Sequence, residues 1–464
     1  MKATVAVLAT SALLAVAGCG GDSESESTRG QVATGSSYTF PKAPRVVQGP
    51  LDPKIDAAIT RLLPPALVGV LDREVLATIA ESRDPRLGWL VSDLLRFYQG
   101  APLEDDALVA AFEKLTAVDV SSDPLFADGS WRVVTDHLIA WDLPAPPRYR
   151  ERKGELYVAL EPGWRPFFED ADSEIDWRRV SWGGVRIDNR ALGDARPCER
   201  GCIPALDDPA LTSASEGDWY PDDRIVFGVV VGGEAVAFPK NIMEIHEMVN
   251  ITIGERRLGI PYCTLCASAQ TYLTDAVQPE SEPLVLRTSG LLQRSNKLMY
   301  ELNTRSAIDT FTGRALSGPL QSAGIILRQV TVVTSTWGEW KAAHPDTRIV
   351  ARDGGIGREY EEDPLGGRDD NGPIFPIGDV DSRLPVQAKI VGVIAPGGAA
   401  LAFPVADAIE ALRAGDEVKL GSVELVADGG GLRAHTEDGV ESAAHEAFWF
   451  AWSQFHPGTE LWTR

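Results

Sequence analysis

Two short sequence landmarks occur twice in the chain, in the same order. The first is a Gly-Gly turn flanked by β-branched and aromatic residues, at 228–239 and 392–404. The second is a Trp-x-x-Trp segment that ends in His-Pro-x-Thr, at 337–347 and 449–459. A two-glycine turn between apolar strands is typical of a β-hairpin. Because two landmarks in one order indicate a repeated unit, the sequence predicts a β-rich module that is present in two copies.

The chain before these landmarks has a different character. Apolar residues at three- and four-residue spacing between Pro50 and Val120 predict several short helices. The helices resemble a pair of HEAT-type hairpins, and a plain helical bundle explains the pattern equally well. A segment rich in Trp and Pro then leads to the β-rich part, and we expect it to be irregular and to pack on the C-terminal domain.

The predicted fold class is therefore α+β, with an N-terminal α-helical, HEAT-like or bundle-like region and a β-rich module in two copies, at about 222–350 and 387–464, the second shortened. The predicted domains are a lipoprotein signal peptide at 1–18, a disordered tether at 19–45, a helical region at 46–122, a Trp- and Pro-rich connector at 123–190, a first β-rich module with Cys-x-x-Cys at 191–386 and a second, degenerate copy at 387–464.

The N-terminus predicts export and lipidation. Lys2 is followed by a short apolar run and small residues before Cys19, which is the pattern of a secretory signal peptide. Cysteine directly after Ala-Gly resembles the bacterial lipobox, in which Cys19 would carry the lipid; an ordinary signal peptide with a chance cysteine is the alternative. We therefore expect an extracytoplasmic protein that is lipid-anchored to the inner or the outer membrane of a bacterial cell.

Charge and apolar content restrict the partners. With 67 acidic and 44 basic residues the formal net charge is −23, which argues against a nucleic-acid partner. The run after the signal peptide, rich in Gly, Ser and Glu, predicts a flexible tether. The expected partner is therefore the membrane, through the lipid on Cys19, with a protein or glycan partner open for the helical and Trp-rich parts and a small-molecule substrate undefined.

The first β-rich module contains a Cys-x-x-Cys motif, Cys263-Thr264-Leu265-Cys266. Two thiols at this spacing close a disulfide or offer two thiolates to a soft metal. The residues after Cys266 predict a strand, whereas a thioredoxin-type motif requires a helix there. The second module has no cysteine at the matching stretch, so the shared scaffold does not require the motif. A metal or redox role, an inert structural disulfide and free buried thiols remain as alternatives.

His246 and Met299 are the candidate neighbours of the two thiols. His246 lies on a predicted short helix that leads into the strand ending at Cys263. Thiolate, imidazole and thioether ligands together suit copper, and two cysteines with one histidine and an open position suit zinc. The alternatives are a histidine that caps its helix and a methionine that fills the core.

Cys198 and Cys202 form a second pair in a loop flanked by Pro and Gly. Outside the cytoplasm a local disulfide between them is favoured. The alternative is a four-cysteine zinc site that also includes Cys263 and Cys266.

An ordered set of short motifs resembles a known family. The motifs are Asp-Trp-Arg-Arg-Val-Ser-Trp-Gly-Gly-Val at 176–185, Ile-Pro-Ala-Leu at 203–206, His-Glu-Met-Val-Asn at 246–250, Tyr-Cys-Thr-Leu-Cys at 262–266, Ser-Gly-Leu-Leu at 289–292, Leu-Met-Tyr at 298–300 and the two Trp…His-Pro-x-Thr elements. Over about 175–464 the chain is similar to the exported bacterial and archaeal family of domain of unknown function 3179. That family usually has Tyr-Cys-Pro-Leu-Cys-Gly, where this chain has Thr264 and Ala267. The resemblance implies no established activity, but it adds weight to Cys263, Cys266 and His246 as a shared polar centre, with Met299 as a neighbour.

The sequence therefore predicts an extracytoplasmic, lipid-anchored protein with a Cys/Cys/His site that binds copper or zinc or performs thiol redox chemistry. The alternative is a non-enzymatic binding protein of the cell envelope in which Cys263 and Cys266 form a structural disulfide. Whether the protein is an enzyme is left open by these patterns.

Overall fold

The computed structural model describes residues 39–46, 48–198, 200–275, 277, 282–367 and 372–464. The predicted signal peptide, Cys19 and most of the predicted tether lie outside the described residues. Within the described part, every helix is too short or too polar to cross a bilayer.

Helices dominate the N-terminal third and recur singly among the strands. The α-helices of the described chain are α1 (Pro53–Ala66), α2 (Arg73–Ala80), α3 (Gly88–Phe97), α4 (Pro102–Thr116), α5 (Ser130–Ala140), α6 (Tyr149–Leu160), α7 (Arg165–Glu169), α8 (Lys240–His246), α9 (Gly318–Ser322), α10 (Trp337–Ala343), α11 (Val405–Ala414) and α12 (Trp449–Phe455).

Aspartate caps begin the first helices. The Asp72 side chain accepts a hydrogen bond from the backbone amide of Val75 at 3.0 Å, and Asp52 caps α1 in the same way through Lys54. Such a cap satisfies an amide that has no partner within its helix. The apolar faces then pack together, with α3 in contact with α4, α5 and α6. The N-terminal helical region is thus one bundle with one apolar core.

The segment 123–190 differs from the irregular connector that the sequence predicts, because it contains α5, α6 and α7. Its prolines obscured the helices, but Pro166 lies in the first turn of α7, where the missing amide costs no hydrogen bond. The segment also joins the helices to the strands. The indole of Trp164 donates a hydrogen bond to the backbone oxygen of Ser289 at 2.7 Å, and Phe167 packs on Tyr300.

The rest of the chain is β-rich. Its strands are β1 (Val180–Trp182), β2 (Leu206–Asp207), β3 (Leu211–Ser213), β4 (Ile225–Val231), β5 (Glu234–Pro239), β6 (Met248–Ile253), β7 (Arg256–Cys263), β8 (Ser268–Ala269), β9 (Thr271–Leu273), β10 (Leu286–Gln293), β11 (Asn296–Glu301), β12 (Ala307–Asp309), β13 (Gln329–Val330), β14 (Val333–Thr336), β15 (Arg348–Val350), β16 (Lys389–Ile394), β17 (Ala400–Pro404), β18 (Val418–Leu420), β19 (Val423–Asp428), β20 (Gly431–Thr436), β21 (Glu441–Ser442), β22 (Ala444–Phe448) and β23 (Glu460–Leu461).

These strands form five small sheets in a propeller-like ring. Their strand orders are β1-β10-β11-β12, β13-β9-β7-β6-β2 with β8 paired to β7, β14-β4-β5-β15-β3, β22-β16-β17-β23 and β18-β19-β20-β21.

The predicted β-rich module in two copies is therefore wrong. Residues 222–350 contribute strands to three of the sheets and residues 387–464 form the other two, so the two spans are not copies of one module. The repeated landmarks instead encode a local packing motif. A Cβ on Gly228 would overlap the Trp340 ring, and a Cβ on Gly392 would overlap the Trp452 ring. The repeated sequence thus corresponds to the packing of α10 on the sheet that contains β4 and of α12 on the sheet that contains β16.

Two turns bring the functional candidates together. At the end of β7 the chain makes one turn of 3₁₀ helix, Thr264–Cys266, and enters β8. The antiparallel strands β10 and β11 are joined by a tight turn at Arg294 and Ser295. The β-bulge between Thr288 and Leu291 shifts the register of that pair.

Candidate functional site

The two cysteines of the Cys-x-x-Cys motif meet at one backbone carbonyl. Cys263 and Cys266 are reduced, and their exposed fractions are 2% and 0%. Their sulfur atoms lie 3.7 Å and 3.6 Å from the carbonyl oxygen of Ser295, and the Cys266 sulfur lies 3.7 Å from the side-chain oxygen of Asn296. A carbonyl oxygen attracts a thiol proton and repels a thiolate. The arrangement therefore opposes ionisation of both sulfurs together.

Local backbone geometry turns the chain back after the second cysteine. Ala267 has φ 47° and ψ 36°, which is the left-handed region. This conformation costs an L-residue about 1–2 kcal/mol, whereas glycine adopts it freely. The requirement explains why a glycine would suit the position that follows Cys266.

A buried lysine lies beside the thiols. The Lys297 ammonium donates hydrogen bonds to the backbone oxygens of Glu247 at 2.7 Å and Tyr262 at 2.8 Å, and it forms an ion pair with the Glu247 carboxylate at 2.6 Å. The Lys297 side chain is 5% exposed. Three acceptors fix the ammonium, so a positive charge is held in one place next to the end of β7.

The surroundings shift the pKa values of the two thiols in opposite directions. Burial raises the pKa of Cys263, but the neighbouring Cys266 thiol and the charge and backbone amide of Lys297 favour the thiolate, so the pKa lies below its usual value. Burial and the adjacent Cys263 sulfur raise the pKa of Cys266 well above its usual value. The surroundings therefore favour the thiolate form at Cys263 more than at Cys266.

Cys263 faces a cavity of about 120 Å³. Cys263 lines this cavity together with Thr264, Glu247 and Lys297. The remaining wall is mostly apolar, and consists of Gly183, Val185, Ile203, Leu265, Thr288, Gly290, Leu291, Leu292 and Phe375. Cys266 does not line it. Access from the cavity therefore reaches the sulfur with the lowered pKa first.

His246 does not join this site. Its Nδ1 lies 2.7 Å from the Pro204 carbonyl oxygen, and its Nε2 lies 2.7 Å from the Tyr360 hydroxyl. It lines a separate cavity of about 410 Å³, and burial lowers its pKa to about 4. The separation follows from the backbone at Glu247, which ends α8 in the left-handed region at φ 50°. As a result His246 and Glu247, although adjacent in sequence, line different cavities.

Met299 is a core residue. It is fully buried and packs in an apolar cluster with Met248 and Leu286. The two cysteines belong to another cluster, which includes Phe448. Met299 therefore fills the core between sheets and does not share the surroundings of the thiols.

Cys198 and Cys202 are joined by a disulfide, with Cα atoms 5.4 Å apart. Their sulfurs and a carboxylate oxygen of Asp188 lie within 4.8 Å of one another. That carboxylate already accepts hydrogen bonds from Arg190 at 2.7 Å and from the Ala205 amide at 2.8 Å. Because a disulfide offers no thiolate and Asp188 is occupied, this group is a poor metal site.

Among the residues that the structure describes, Asp188, Cys198 and Cys202 form the only cluster of three or more Cys, His, Asp and Glu donors. Among the described residues, Cys263 and Cys266 therefore have no third Cys, His, Asp or Glu donor close enough to complete a cluster of this kind. The structure keeps the two cysteine pairs apart, so it does not assemble the four-cysteine zinc site.

Sequence patterns missed Lys297, Glu247 and Ser295. Glu247 directly follows His246, which drew attention as the more common ligand. The available signal was Lys297, a charged residue inside the buried strand β11. A buried lysine needs several acceptors, and here these come from residues about 35 and 50 positions away in the sequence.

Fold and site together define a class of protein: a propeller-like ring of small sheets, joined to a helical bundle, with a buried Cys-x-x-Cys dithiol beside a fixed lysine. The chain belongs to the family described as protein of unknown function (DUF3179), whose model matches residues 200–442. The resemblance seen in the sequence motifs is thereby confirmed. The matched region contains Cys202, the Cys263/Cys266 pair and Lys297, begins just after Cys198, and leaves out the N-terminal helices. No curated protein and no solved structure matches the chain.

Proposed function

We propose that the protein is a dithiol redox protein in which Cys263 and Cys266 alternate between a reduced pair and a disulfide. One observation carries the proposal. Two buried sulfurs meet at the Ser295 carbonyl, and of the two cysteines only Cys263 lines the cavity that Lys297 also lines. This is the division of labour that a dithiol centre requires, with an accessible nucleophile and a shielded resolving thiol.

The chemistry follows from the protonation states. The Cys263 thiolate attacks an electrophilic oxidant, and the Cys266 thiol then attacks the sulfur of the Cys263 adduct. Formation of the disulfide releases one proton and two electrons, which pass to the oxidant. Lys297 stabilises the thiolate before the attack, and the Ser295 carbonyl opposes ionisation of both sulfurs together.

Metal binding is the weaker candidate for the same residues. Zinc in proteins takes four ligands, or three with an open position, and His246 and Met299 lie among other partners. The fixed Lys297 charge beside the sulfurs also opposes a second cation. Copper(I) accepts two thiolates, so copper binding is the outcome that the test below must separate from redox chemistry.

A trapping experiment tests the proposal. Reduced protein is mixed with a small aromatic disulfide, and the products are identified by mass spectrometry. In Cys266→Ser the reaction should stop at a mixed disulfide on Cys263, whereas the unaltered protein should proceed to the Cys263–Cys266 disulfide. In Cys263→Ser neither product should form, since Cys266 is buried and its pKa is raised.

The proposal fails if the two single variants react at the same rate. It also fails if the protein purified without oxygen carries one equivalent of copper that both variants lose. The disulfide of Cys198 and Cys202 is present in each variant and serves as an internal control.

We further propose that the protein works outside the cytoplasm, anchored through a lipid on Cys19. The disulfide between Cys198 and Cys202 supports this proposal, because such bonds persist in oxidising compartments. Fractionation of cells that produce Cys19→Ala tests it: the variant should leave the membrane fraction, whereas Cys263→Ala should stay there. Retention of Cys19→Ala in the membrane would contradict lipid anchoring.

A further inference from the structure

We propose that the oxidant of this dithiol is a small hydroperoxide. The inference rests on the proposed function and adds the class of substrate. It starts from the cavity that Cys263 faces, which is the route by which an oxidant reaches the nucleophilic sulfur in the described part of the chain.

The size of the approach selects the oxidant. A cavity needs about 10–15 Å³ of volume open to the centre of a water-sized sphere to hold one water molecule. The cavity beside Cys263, at about 120 Å³, therefore holds a few molecules of that size. Cys263 is 2% exposed and Cys266 is fully buried. Attack on a disulfide between polypeptides would require two chains to reach the Cys263 sulfur. A compact oxidant with a reactive O–O bond needs no such opening.

The chemical character of the cavity agrees with its size. Apolar side chains such as Leu265, Leu292 and Phe375 form much of the wall. Polar groups gather at the sulfur end, where the Thr264 hydroxyl lies 3.3 Å from a Glu247 carboxylate oxygen and Lys297 is fixed by its three acceptors. An alkyl hydroperoxide has the same division between an apolar body and a polar reacting end.

The reaction balances without a metal. The Cys263 thiolate attacks the terminal oxygen of the hydroperoxide and the O–O bond breaks. The leaving oxygen takes up, through solvent, the proton that Cys263 released on ionising, which gives an alcohol, or water when the oxidant is hydrogen peroxide. Cys263 becomes a sulfenic acid. The Cys266 thiol then attacks the Cys263 sulfur, which forms the disulfide and releases water. In total one dithiol and one hydroperoxide give one disulfide, one alcohol and one water, and an external thiol later reduces the disulfide.

The first test compares the rates at which different oxidants react with the reduced full-length protein. Hydrogen peroxide and tert-butyl hydroperoxide are each reacted with it in single turnover, beside oxidised glutathione and a disulfide-linked peptide, with free cysteine as the reference thiol. The loss of two hydrogens on Cys263 and Cys266 is followed by mass spectrometry. Both hydroperoxides should oxidise the pair at least tenfold faster than free cysteine and at least tenfold faster than either disulfide. In Cys266→Ser the product should be one oxygen atom on Cys263.

A pair of variants with opposite expected signs separates charge from misfolding. Lys297→Met removes the positive charge, so it should raise the pKa of Cys263 and slow the hydroperoxide reaction about tenfold. Glu247→Gln removes the opposing negative charge and should speed it, with the pH midpoint of the rate shifted to lower pH. Lys341→Met, which removes a lysine that pairs with Asp222 on another element, is the matched control and should leave the rate unchanged.

The outcomes distinguish the two levels of the proposal. Fast oxidation by hydroperoxides with the opposite shifts supports both. Rates no faster than free cysteine, together with rapid exchange with oxidised glutathione, overturn the hydroperoxide inference and leave the dithiol function standing. If no oxidant closes the Cys263–Cys266 disulfide, both fail. Slower oxidation in both charge variants would also overturn the inference, because charge cannot then be the cause.

Discussion

Replacing Ala267 with glycine will stabilise the turn that carries the two thiols. Ala267 has φ 47° and ψ 36°, directly after the 3₁₀ turn Thr264–Cys266. The left-handed region costs alanine about 1–2 kcal/mol relative to glycine in the folded state. Glycine also lowers the free energy of unfolding by about 0.4–1 kcal/mol, because it gives the unfolded chain more conformational freedom. The difference leaves a net stabilisation of about 0.5–1 kcal/mol.

The assay is the urea midpoint of the reduced protein, combined with native-state hydrogen exchange of the amides in this turn. A gain of about 0.7 kcal/mol slows local exchange by about threefold if opening of the turn controls it. Ala117 provides an independent test, since it is exposed, ends α4 and has φ 58°. Ala117→Gly should therefore stabilise by a similar amount.

The same substitution at Ala269 is the matched control. Ala269 is 3% exposed and lies in strand β8, so glycine there loses a buried methyl and gains backbone freedom. We expect Ala269→Gly to destabilise by about 1–2 kcal/mol. If Ala267→Gly lowers the urea midpoint as Ala269→Gly does, the account of this turn is refuted.

Three further predictions concern the scaffold. Gly228→Ala should cost about 1–3 kcal/mol in urea denaturation because its methyl overlaps the Trp340 ring, whereas Gly397→Ala, with nothing within 4 Å of the new methyl, should be neutral; equal effects would contradict the packing. Burial lowers the pKa of His246 from 6.5 to about 4, so between these pH values the unfolded state binds more protons and the free energy of unfolding falls as the pH decreases. In His246→Gln the free energy of unfolding should fall less between pH 7 and pH 4.5. An unchanged fall would exclude His246 as its source. Cys198→Ser with Cys202→Ser should cost about 2 kcal/mol while the reactivity of Cys263 stays the same, and a loss of that reactivity would show that the two cysteine pairs are coupled.

Local patterns predicted the helices before Val120 and the hairpin correctly, but they missed the helices within 123–190 and the long-range arrangement of the strands. The Gly-Gly turn at 232–233 does join β4 to β5, because a two-residue turn and its flanking strands are specified by adjacent residues. The matching landmarks were extended to a whole module, whereas in the structure they mark one sheet each, with the equivalent strand orders β14-β4-β5-β15 and β22-β16-β17-β23 and with Trp340 or Trp452 packed on it. The number of sheets to which a segment contributes strands depends on pairing between strands that are distant in sequence, and no local spacing reveals that pairing.

The candidate site shows the same division. The spacing of Cys263 and Cys266 alone predicted a thiol centre, whereas the groups that surround the sulfurs, Lys297 and the Ser295 carbonyl, come from another sheet. His246 was the reasonable choice of partner from sequence distance. A single left-handed residue, Glu247, sends it elsewhere, and a non-glycine residue with positive φ leaves no clear mark in one sequence.

The most direct test of the dithiol centre is a redox titration of the pair. The protein is equilibrated in thiol–disulfide buffers over a range of potentials, quenched with an alkylating reagent, and the state of Cys263 and Cys266 is read by mass spectrometry. We expect one reversible two-electron transition, in which the ratio of disulfide to dithiol changes tenfold for about 30 mV. A pair that stays reduced at every potential, or a disulfide that no thiol buffer opens, would contradict it.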